Sequence, residues 1–360
     1  MNALTLYTTL PLVGGNSTNT LGLAGFFKKQ GYAVRVIVRQ EKGKQMNQPA
    51  LSALRQLGCE LEVLARMPQD LFALFIKTLF QRKKWQGSQF ISIGMGYMAP
   101  LIACLGGFGQ KSFYYINHDP DITPLKRLGP LLRVFDSIIA VSPASLVPIK
   151  ELTGNATRVV WLPQFSELPF SGIHHERAAA QPLKFGFVGS LLRSKGILEL
   201  MAMWPNMHTS ELHILGDGEL RNEVASQSVT NAAIHYRGWF AASDRAQVLP
   251  AFFEEIDYLL VPSLGHGEGI PTVILEALSC GVPIISTDGG GTIAFGQPPL
   301  RADFSQAVTL VPQAGFASAL ATVPAPTAAT RQQARAGYQK WFSNEVLQEK
   351  WLGFATAPAG

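Results

Sequence analysis

The chain reads SLGHGEGIPTVILEALSCG from Ser263 to Gly281, and this stretch decides the fold prediction. The apolar residues 258–262 before it indicate a buried parallel strand. Pro271 suits the first position of a helix, and Gly281 suits the left-handed residue that follows the last one. A glycine-rich loop that leads to a helix N-terminus gathers unpaired amides and the positive end of the helix dipole. The stretch therefore predicts an anion site of the kind that binds a diphosphate.

Two carboxylates frame this predicted anion site, Glu268 before the helix and Glu276 in its second turn. A carboxylate repels a phosphate, but it accepts hydrogen bonds from hydroxyl groups such as the vicinal pair of a ribose. Phosphate-binding amides between two hydroxyl-binding carboxylates are typical of a nucleotide-sugar site. The alternative is structural: Glu268 caps the helix and Glu276 faces solvent.

The composition is that of a globular chain, since 47% of its 360 residues are hydrophobic and 15% are charged. This length favours two domains or one large one. Residues 1–15 lack a basic region, so we expect no signal peptide. The longest apolar stretch, residues 97–108, contains proline and glycine and is shorter than the roughly 20 residues of a spanning helix. Three scattered cysteines without metal-binding spacing favour a reducing cytoplasm: Cys59, Cys104 and Cys280.

The two halves of the chain differ in charge. Residues 1–165 carry 18 lysines and arginines against 8 aspartates and glutamates, a net charge of +10. Residues 166–360 carry 12 against 17, a net charge of −5. A basic half favours an anionic partner. Because the sequence contains no recognised nucleic-acid motif, we expect no nucleic acid and favour an anionic membrane surface.

Predicted strands and helices alternate along the chain, which indicates an α/β fold with two Rossmann-like domains facing a shared cleft. We expect an N-terminal domain at residues 1–165, a proline-rich linker at 166–182 and a second domain at 183–337. A C-terminal helix at about 338–356 is expected to pack back on the first domain. Open α/β sheets bind ligands at the carboxyl ends of their strands. The loops predicted there are residues 14–17, 117–120, 189–196, 216–218 and 238–240.

A basic amphipathic helix is predicted at residues 70–85, DLFALFIKTLFQRKKW. Its apolar side chains share one face, and its cations precede a tryptophan of the interfacial type. This composition is typical of a helix that lies on an anionic bilayer. A core-facing helix with a basic C-terminus has the same composition, so both interpretations stay open. The candidate membrane residues are Lys77, Arg82, Lys83, Lys84 and Trp85.

Together these motifs resemble the GT-B-fold glycosyltransferases of the large retaining family 4, also called group 1. The matching pieces run in the family's order over nearly the whole chain, and the E-x7-E segment with the GVPII that follows it is the most specific. The pieces are Gly14-Gly15, residues 117–119 (NHD), 136–142 (DSIIAVS), 188–196 and 214–218 (ILGDG), Gly238, and residues 268–277 (EGIPTVILEA) and 279–286.

The resemblance implies an enzyme that transfers a sugar from a nucleotide-diphospho-sugar to an acceptor. Glu268 would hold sugar hydroxyls, Glu276 would hold the ribose diol, and His118 would contact the sugar near its reacting carbon. Arg193 or Lys195 would bind the donor diphosphate. The other donor-binding positions implied are Gly15 and Ser190 at the diphosphate, Gly216, Asp217, Trp239 and Phe240 at the base, and Gly269, Ile270, Pro271 and Thr272 at the helix N-terminus.

Two positions depart from the family pattern. Ser190 stands where the family often has arginine, and Thr292-Ile293 stand where an acidic residue usually follows the glycines 289–291. No D-x-D motif indicates a metal, so we expect neither a metal nor another cofactor. Family habit favours a UDP-sugar and a lipid-linked or polysaccharide acceptor in bacterial surface glycan synthesis, on the cytoplasmic face of the membrane. The alternative is a non-catalytic GT-B protein that binds a nucleotide or a membrane as an assembly partner.

Overall fold

The computed structural model of the chain describes most of its residues: 2–9, 14–39, 48–64, 71–93, 98–115, 123–154, 157–166, 168–169, 181–204, 210–240, 244–264 and 269–357. The chain divides into two compact units. The first unit comprises residues 1–165 and 347–360, and the second comprises residues 166–346. Each unit is built on one sheet whose neighbouring strands all run parallel.

The first unit contains a seven-stranded sheet with the order β3-β2-β1-β4-β5-β6-β7. Its strands are β1 (Ala3–Thr9), β2 (Ala33–Arg39), β3 (Glu60–Leu64), β4 (Gln89–Ile93), β5 (Lys111–Tyr115), β6 (Ser137–Ala140) and β7 (Arg158–Trp161). The helices that alternate with them are α1 (Gly14–Lys29), α2 (Gln48–Gln56), α3 (Leu71–Trp85), α4 (Met98–Leu105), α5 (Thr123–Leu128) and α6 (Leu146–Thr153).

The second unit contains a six-stranded sheet with the order β10-β9-β8-β11-β12-β13. Its strands are β8 (Leu183–Ser190), β9 (Ser210–Asp217), β10 (Ile234–Tyr236), β11 (Tyr258–Val261), β12 (Ile284–Thr287) and β13 (Val308–Val311). Its helices are α7 (Ile197–Met203), α8 (Arg221–Thr230), α9 (Arg245–Glu255), α10 (Thr272–Ser279), α11 (Arg301–Phe304), α12 (Phe316–Thr322) and α13 (Ala328–Phe342). A last helix, α14 (Asn344–Thr356), follows α13.

The central strands of the second sheet are buried on both faces. Every residue of β11 and β12 is buried, which is the reason that residues 258–262 read as a continuous apolar run rather than an alternating one. One core cluster of this unit surrounds Phe185, Leu212 and Tyr258. The sheet therefore presents its strand ends and the loops beyond them, rather than its faces, to a ligand.

From Leu347 onward, helix α14 belongs to the first unit although it follows the second unit in sequence. Its Trp351 is fully buried, with ring centroids 6.4 Å from Phe27 and 5.5 Å from Tyr114. The Trp351 indole Nε1 donates a hydrogen bond to the Pro163 carbonyl oxygen (3.3 Å). The C-terminal residues are therefore part of the first unit's core.

Two local predictions are wrong. The glycines of residues 14–17 do not form a loop, because α1 begins at Gly14 and these residues make its first turn. The helix predicted at about 338–356 is two helices that are interrupted at Ser343.

Within the described residues, no helix is both long enough and apolar enough to span a bilayer.

Candidate functional site

The parallel sheet of the second unit brings the carboxyl ends of β8 and β9 side by side. In the strand register, Gly189 lies opposite Gly216 and Ser190 lies opposite Asp217. The Leu191 amide continues this pairing and donates a hydrogen bond to the Asp217 carbonyl oxygen (2.9 Å). The predicted diphosphate loop and the predicted base loop are therefore neighbours at one edge of the sheet.

The aromatic pair that follows β10 lies at the same edge. The Gly216 amide donates a hydrogen bond to the Gly238 carbonyl oxygen (2.8 Å), and the Tyr236 hydroxyl donates one to the Gly216 carbonyl oxygen (3.1 Å). The rings of Trp239 and Phe240 stack with centroids 4.3 Å apart and an angle of 26° between their planes. Trp239 remains 46% exposed, which leaves an aromatic surface beside Gly216 on which a planar base could stack.

The two predicted cations, Arg193 and Lys195, lie on a single 3-10 turn after β8. The Leu264 amide donates a hydrogen bond to the Ser194 carbonyl oxygen in this turn (2.8 Å). This bond ties the basic turn to the loop that leaves β11 toward α10. Arg193 is exposed and Lys195 is half-buried. The basic turn follows shortly after the end of β8, the strand end where an anion was predicted.

Helix α10 begins as the sequence indicates. Pro271 is its N-cap residue, one position before the predicted first helical residue, and Gly281 follows its end with a φ of +73°. Gly269 and Ile270 are buried before this helix. A Cβ atom added to Gly291 would lie only 2.4 Å from the Gly269 carbonyl carbon, so the loop after β12 packs directly against the start of α10.

Thr292, which stands where the resembling family has an acidic residue, is a structural residue here. It is buried, and its hydroxyl contacts the Thr287 carbonyl oxygen (2.9 Å) and the Gly289 carbonyl oxygen (2.5 Å). These contacts hold the loop after β12 in the shape that packs on Gly269. The departure at Thr292 therefore has a physical reason within the loop itself.

Glu276 is buried inside α10 rather than facing solvent, and its exposed fraction is 1%. The structural alternative for this residue is therefore wrong. Its Oε1 atom accepts a hydrogen bond from Arg245 Nε (3.1 Å) and a second one from Arg245 Nη2. Burial raises the pKa of Glu276, and the charge of Arg245 acts in the opposite direction. Among the described residues, the Glu276 Oε2 atom has no hydrogen-bond partner.

Arg245 is the residue of this site that the sequence interpretation missed. It stands 31 positions before Glu276, at the first position of α9, and its side chain is 33% exposed. No local pattern links the two residues, because the pairing depends on how α9 and α10 pack. The only available signal was a buried carboxylate in an apolar helix, which requires a cationic or hydroxyl partner.

The remaining predicted residues lie in the first unit or outside the described residues. Gly15 lies in the first turn of α1, in the first unit. His118 and Glu268, the two candidate catalytic residues, lie outside the described residues. Most of the predicted linker at 166–182 also lies outside them.

The basic helix α3 differs from its prediction at Trp85. Trp85 is not at the surface, because it is fully buried and stacks on Phe108 with ring centroids 5.8 Å apart. Arg82 and Lys83 are exposed, whereas Lys84 pairs with the Glu60 carboxylate. The side chain of Lys77 is not described. The interpretation of Trp85 as an interfacial anchor is therefore wrong.

Two apolar side chains of α3 are nevertheless exposed. Phe80 is 82% exposed and the adjacent Leu79 is 39% exposed. Both stand immediately before the exposed cations at positions 82 and 83. A large aromatic side chain with so much surface in water is unusual for a core-facing helix.

A second cluster of polar side chains lies on β9 and β10, where atoms of Glu211, His213 and His235 come within 4.8 Å of one another. His213 Nδ1 lies 2.7 Å from Arg237 Nη2 and must accept this bond, since a guanidinium only donates. The neutral ring then carries its proton on Nε2, which donates to Glu211 Oε2 (3.0 Å). A metal ion would need the lone pair of that nitrogen, so the cluster fits a hydrogen-bond chain better than a metal centre.

Comparison with known proteins finds a family match within the second unit. A family model described as Glycosyl transferases group 1 matches residues 182–322. The glycogen synthase of Mycobacterium tuberculosis (strain CDC 1551 / Oshkosh) is 25% identical over 237 residues, which make up 64% of this chain and 54% of that relative. The chain thus spans about half the length of that curated relative.

Similar solved structures extend over both units. Anabaena HepE in complex with UDP has a TM-score of 0.73 and 17% identity, and the match covers 98% of this chain and 99% of that one. The apo form of the lipopolysaccharide outer core galactosyltransferase WaaB has a TM-score of 0.72 and 15% identity, with 98% of each chain covered. These likenesses concern the fold alone. They confirm the predicted fold class, α/β of the GT-B type with two Rossmann-like sheets.

Proposed function

We propose, from the match of residues 182–322 to the family model described as Glycosyl transferases group 1, that this chain is a retaining, family 4 glycosyltransferase. The sugar comes from a nucleotide-diphospho-sugar and goes to a lipid-linked or polysaccharide acceptor. The observation that carries this proposal is the convergence of four strand ends of the second sheet. A basic turn follows β8, an aromatic pair with an exposed Trp239 follows β10, and α10 with its buried Glu276 follows β11. These are the groups that a nucleotide diphosphate requires.

Each part of the donor has a matching group in this proposal. The backbone N–H groups of Gly269, Ile270 and Thr272 and the cations Arg193 and Lys195 bind the diphosphate. Glu276 binds the ribose hydroxyls, and the surface of Trp239 stacks on the base. His118 and Glu268 keep the roles at the donor sugar that the resemblance implies.

UDP is the favoured nucleotide. Its support is the likeness to Anabaena HepE, whose structure was determined in complex with UDP. The surface glycan acceptor is supported by the likeness to WaaB, a lipopolysaccharide outer core galactosyltransferase. Both assignments belong to the proposal.

The proposed chemistry follows from charge. As the bond between the anomeric carbon and the diphosphate oxygen breaks, negative charge develops on the leaving group. The start of α10 and the cations of residues 193–195 stabilise this charge without requiring a metal. The acceptor oxygen bonds to the anomeric carbon on the same face, and its proton passes to the leaving phosphate.

Turnover of a panel of UDP-, GDP- and ADP-sugars with glycolipid and polysaccharide acceptors tests the function. We expect one nucleotide class to support transfer, a product with the anomeric configuration of the donor, and activity that persists in EDTA. Glu276→Gln should lower activity at least about tenfold, the cost of one hydrogen bond to a charged group. Gln313→Ala, at an exposed position away from the site, is the matched control. An active preparation that loses nothing on Glu276→Gln or Glu268→Ala would contradict the site.

The alternative function is that of a non-catalytic GT-B protein that binds a nucleotide as an assembly partner. Its support is Ser190, which offers no positive charge where the resembling family often has arginine. Binding of a nucleotide-sugar without hydrolysis or transfer to any acceptor of the panel would favour this alternative.

We further propose that the chain works on the cytoplasmic face of the membrane as a peripheral protein. The support is the exposed Phe80 beside Arg82 and Lys83 on α3, together with the +10 charge of residues 1–165. A variant with Phe80→Ser and Lys83→Glu should bind phosphatidylglycerol vesicles at least about tenfold more weakly, and wild-type binding should weaken with salt. Lys150→Glu, at an exposed position on α6, is the control. Equal binding by wild type and the α3 variant would contradict this proposal.

A further inference from the structure

Glu276 and Arg245 form an asymmetric pair in the second unit. Both donors of the guanidinium edge, Nε and Nη2, bind the same carboxylate atom, Oε1. An oxygen that accepts two such bonds has its lone pairs occupied. The other oxygen, Oε2, is buried and has no partner among the described residues. Glu276 is therefore half satisfied by the protein.

The charge of Glu276 depends on this pair. The carboxylate lies on an apolar helix whose Ile274, Leu275 and Leu278 are buried, and only 1% of Glu276 is exposed. A carboxylate buried without a cation takes up a proton and then donates a hydrogen bond instead of only accepting. Arg245 supplies the cation, and its guanidinium also fixes the orientation of the carboxylate through two bonds to one oxygen.

The unpartnered Oε2 atom indicates a ligand rather than a purely structural pair. A buried acceptor without a donor costs free energy, and a structural ion pair would gain stability by satisfying both oxygens. A second cation is not the favoured partner of Oε2, since Arg245 already neutralises the carboxylate. A hydroxyl group can donate one hydrogen bond to this buried, charged oxygen, and it therefore fits Oε2.

We propose that Arg245 is a positioning residue of the donor site, which orients Glu276 and leaves Oε2 as its acceptor for a ribose hydroxyl of a nucleoside diphosphate. This inference rests on the proposed function and deepens it. Arg245 touches Glu276 and acts through it. The site then recognises a ribonucleotide, and it recognises the ribose only while the Arg245–Glu276 pair is intact.

The test compares the full-length wild type with Arg245→Ala by isothermal titration calorimetry. The ligands are UDP, GDP and ADP, each with its 2′-deoxy and 3′-deoxy form. We expect the best nucleoside diphosphate to bind wild type at least about tenfold more tightly than one of its deoxy forms, since a hydrogen bond to a charged group is lost. Arg245→Ala should bind that nucleotide about tenfold or more weakly and show a ribose-to-deoxyribose ratio near one. Arg301→Ala, an exposed arginine on α11, should match wild type.

A double variant keeps the test valid if Arg245→Ala fails to fold, because Glu276→Gln removes the buried charge that would be left unpaired. If Arg245 acts through Glu276, Arg245→Ala/Glu276→Gln should bind the nucleotide as Glu276→Gln does. Additive losses, or tighter binding by Arg245→Ala, would overturn the positioning role. If Arg245→Ala binds the nucleotide as tightly as wild type does and keeps the same preference for ribose, this inference alone would be overturned. A wild type that binds none of the three nucleoside diphosphates would overturn the proposed function instead.

Discussion

Burial and the neighbouring Arg237 favour the neutral form of His213. Its Nδ1 faces Arg237 (2.7 Å), its Nε2 faces Glu211 (3.0 Å), and the His235 ring lies 4.7 Å away. Burial lowers the pKa of His213, and the Arg237 charge lowers it further, while Glu211 raises it. A second proton would have to enter at Nδ1, against the guanidinium.

The stability of the second unit should consequently depend on pH. A lowered folded-state pKa means that His213 contributes its full stability above its ordinary pKa of 6.5, and that this contribution is lost as the pH falls toward the folded value. Wild type should therefore unfold more easily in urea at pH 5.5 than at pH 8. His213→Gln, which does not titrate, should lose less stability over the same interval. An equal loss in both proteins would show that another group is responsible.

Residues that act through distant partners are those that the sequence interpretation could not assign. Glu276 could be selected as a candidate from the E-x7-E spacing together with the family resemblance, because both rest on patterns that are local in the sequence. Arg245 could not be selected, since its role arises from the packing of two helices. Thr292 looked like a lost acidic residue, and only its contacts with two carbonyl groups show what it does.

At the level of elements, α10 depends on the residue that ends it. Gly281 has a φ of +73°, a region that costs an L-residue roughly 1–2 kcal/mol. Gly281→Ala should therefore destabilise the second unit by about that amount in urea unfolding. Gly353→Ala is the matched control, because Gly353 lies within α14 and an added Cβ meets nothing within 4 Å. That change should stabilise its unit by up to about 1 kcal/mol. Equal effects of the two substitutions would contradict this account.

The strand before the E-x7-E segment was predicted more accurately than the start of α1. A buried strand is marked by a run of apolar residues, which is visible in the sequence whichever strands and helices pack on it. The observed β11 follows its predicted run closely. The start of α1 was misplaced because glycines usually favour a turn, whereas this helix begins with them. Trp85 was misassigned because an aromatic residue after several cations has the same appearance in sequence whether it faces lipid or the core.

At the level of the whole molecule, one side chain joins the end of the chain to its beginning. Trp351 on α14 lies within the core formed by β1, α1 and β5. Trp351→Ala should destabilise the first unit by about 3–5 kcal/mol, since it leaves a large cavity. Two-probe unfolding would show an earlier transition of the first unit and an unchanged transition of the second. Trp341→Ala on α13, in the second unit, is the reciprocal control. An unchanged first transition in Trp351→Ala would contradict this role of α14.

The position of α14 has a consequence for the order in which the molecule is made. Residues 1–165 emerge from the ribosome long before Trp351 is added. The first sheet therefore emerges with a gap in its core that α14 later fills. The second unit, whose residues are contiguous, can complete its core while synthesis continues. The half of the protein that is translated first is therefore the half that is finished last, and a stalled or truncated chain would leave that half exposed.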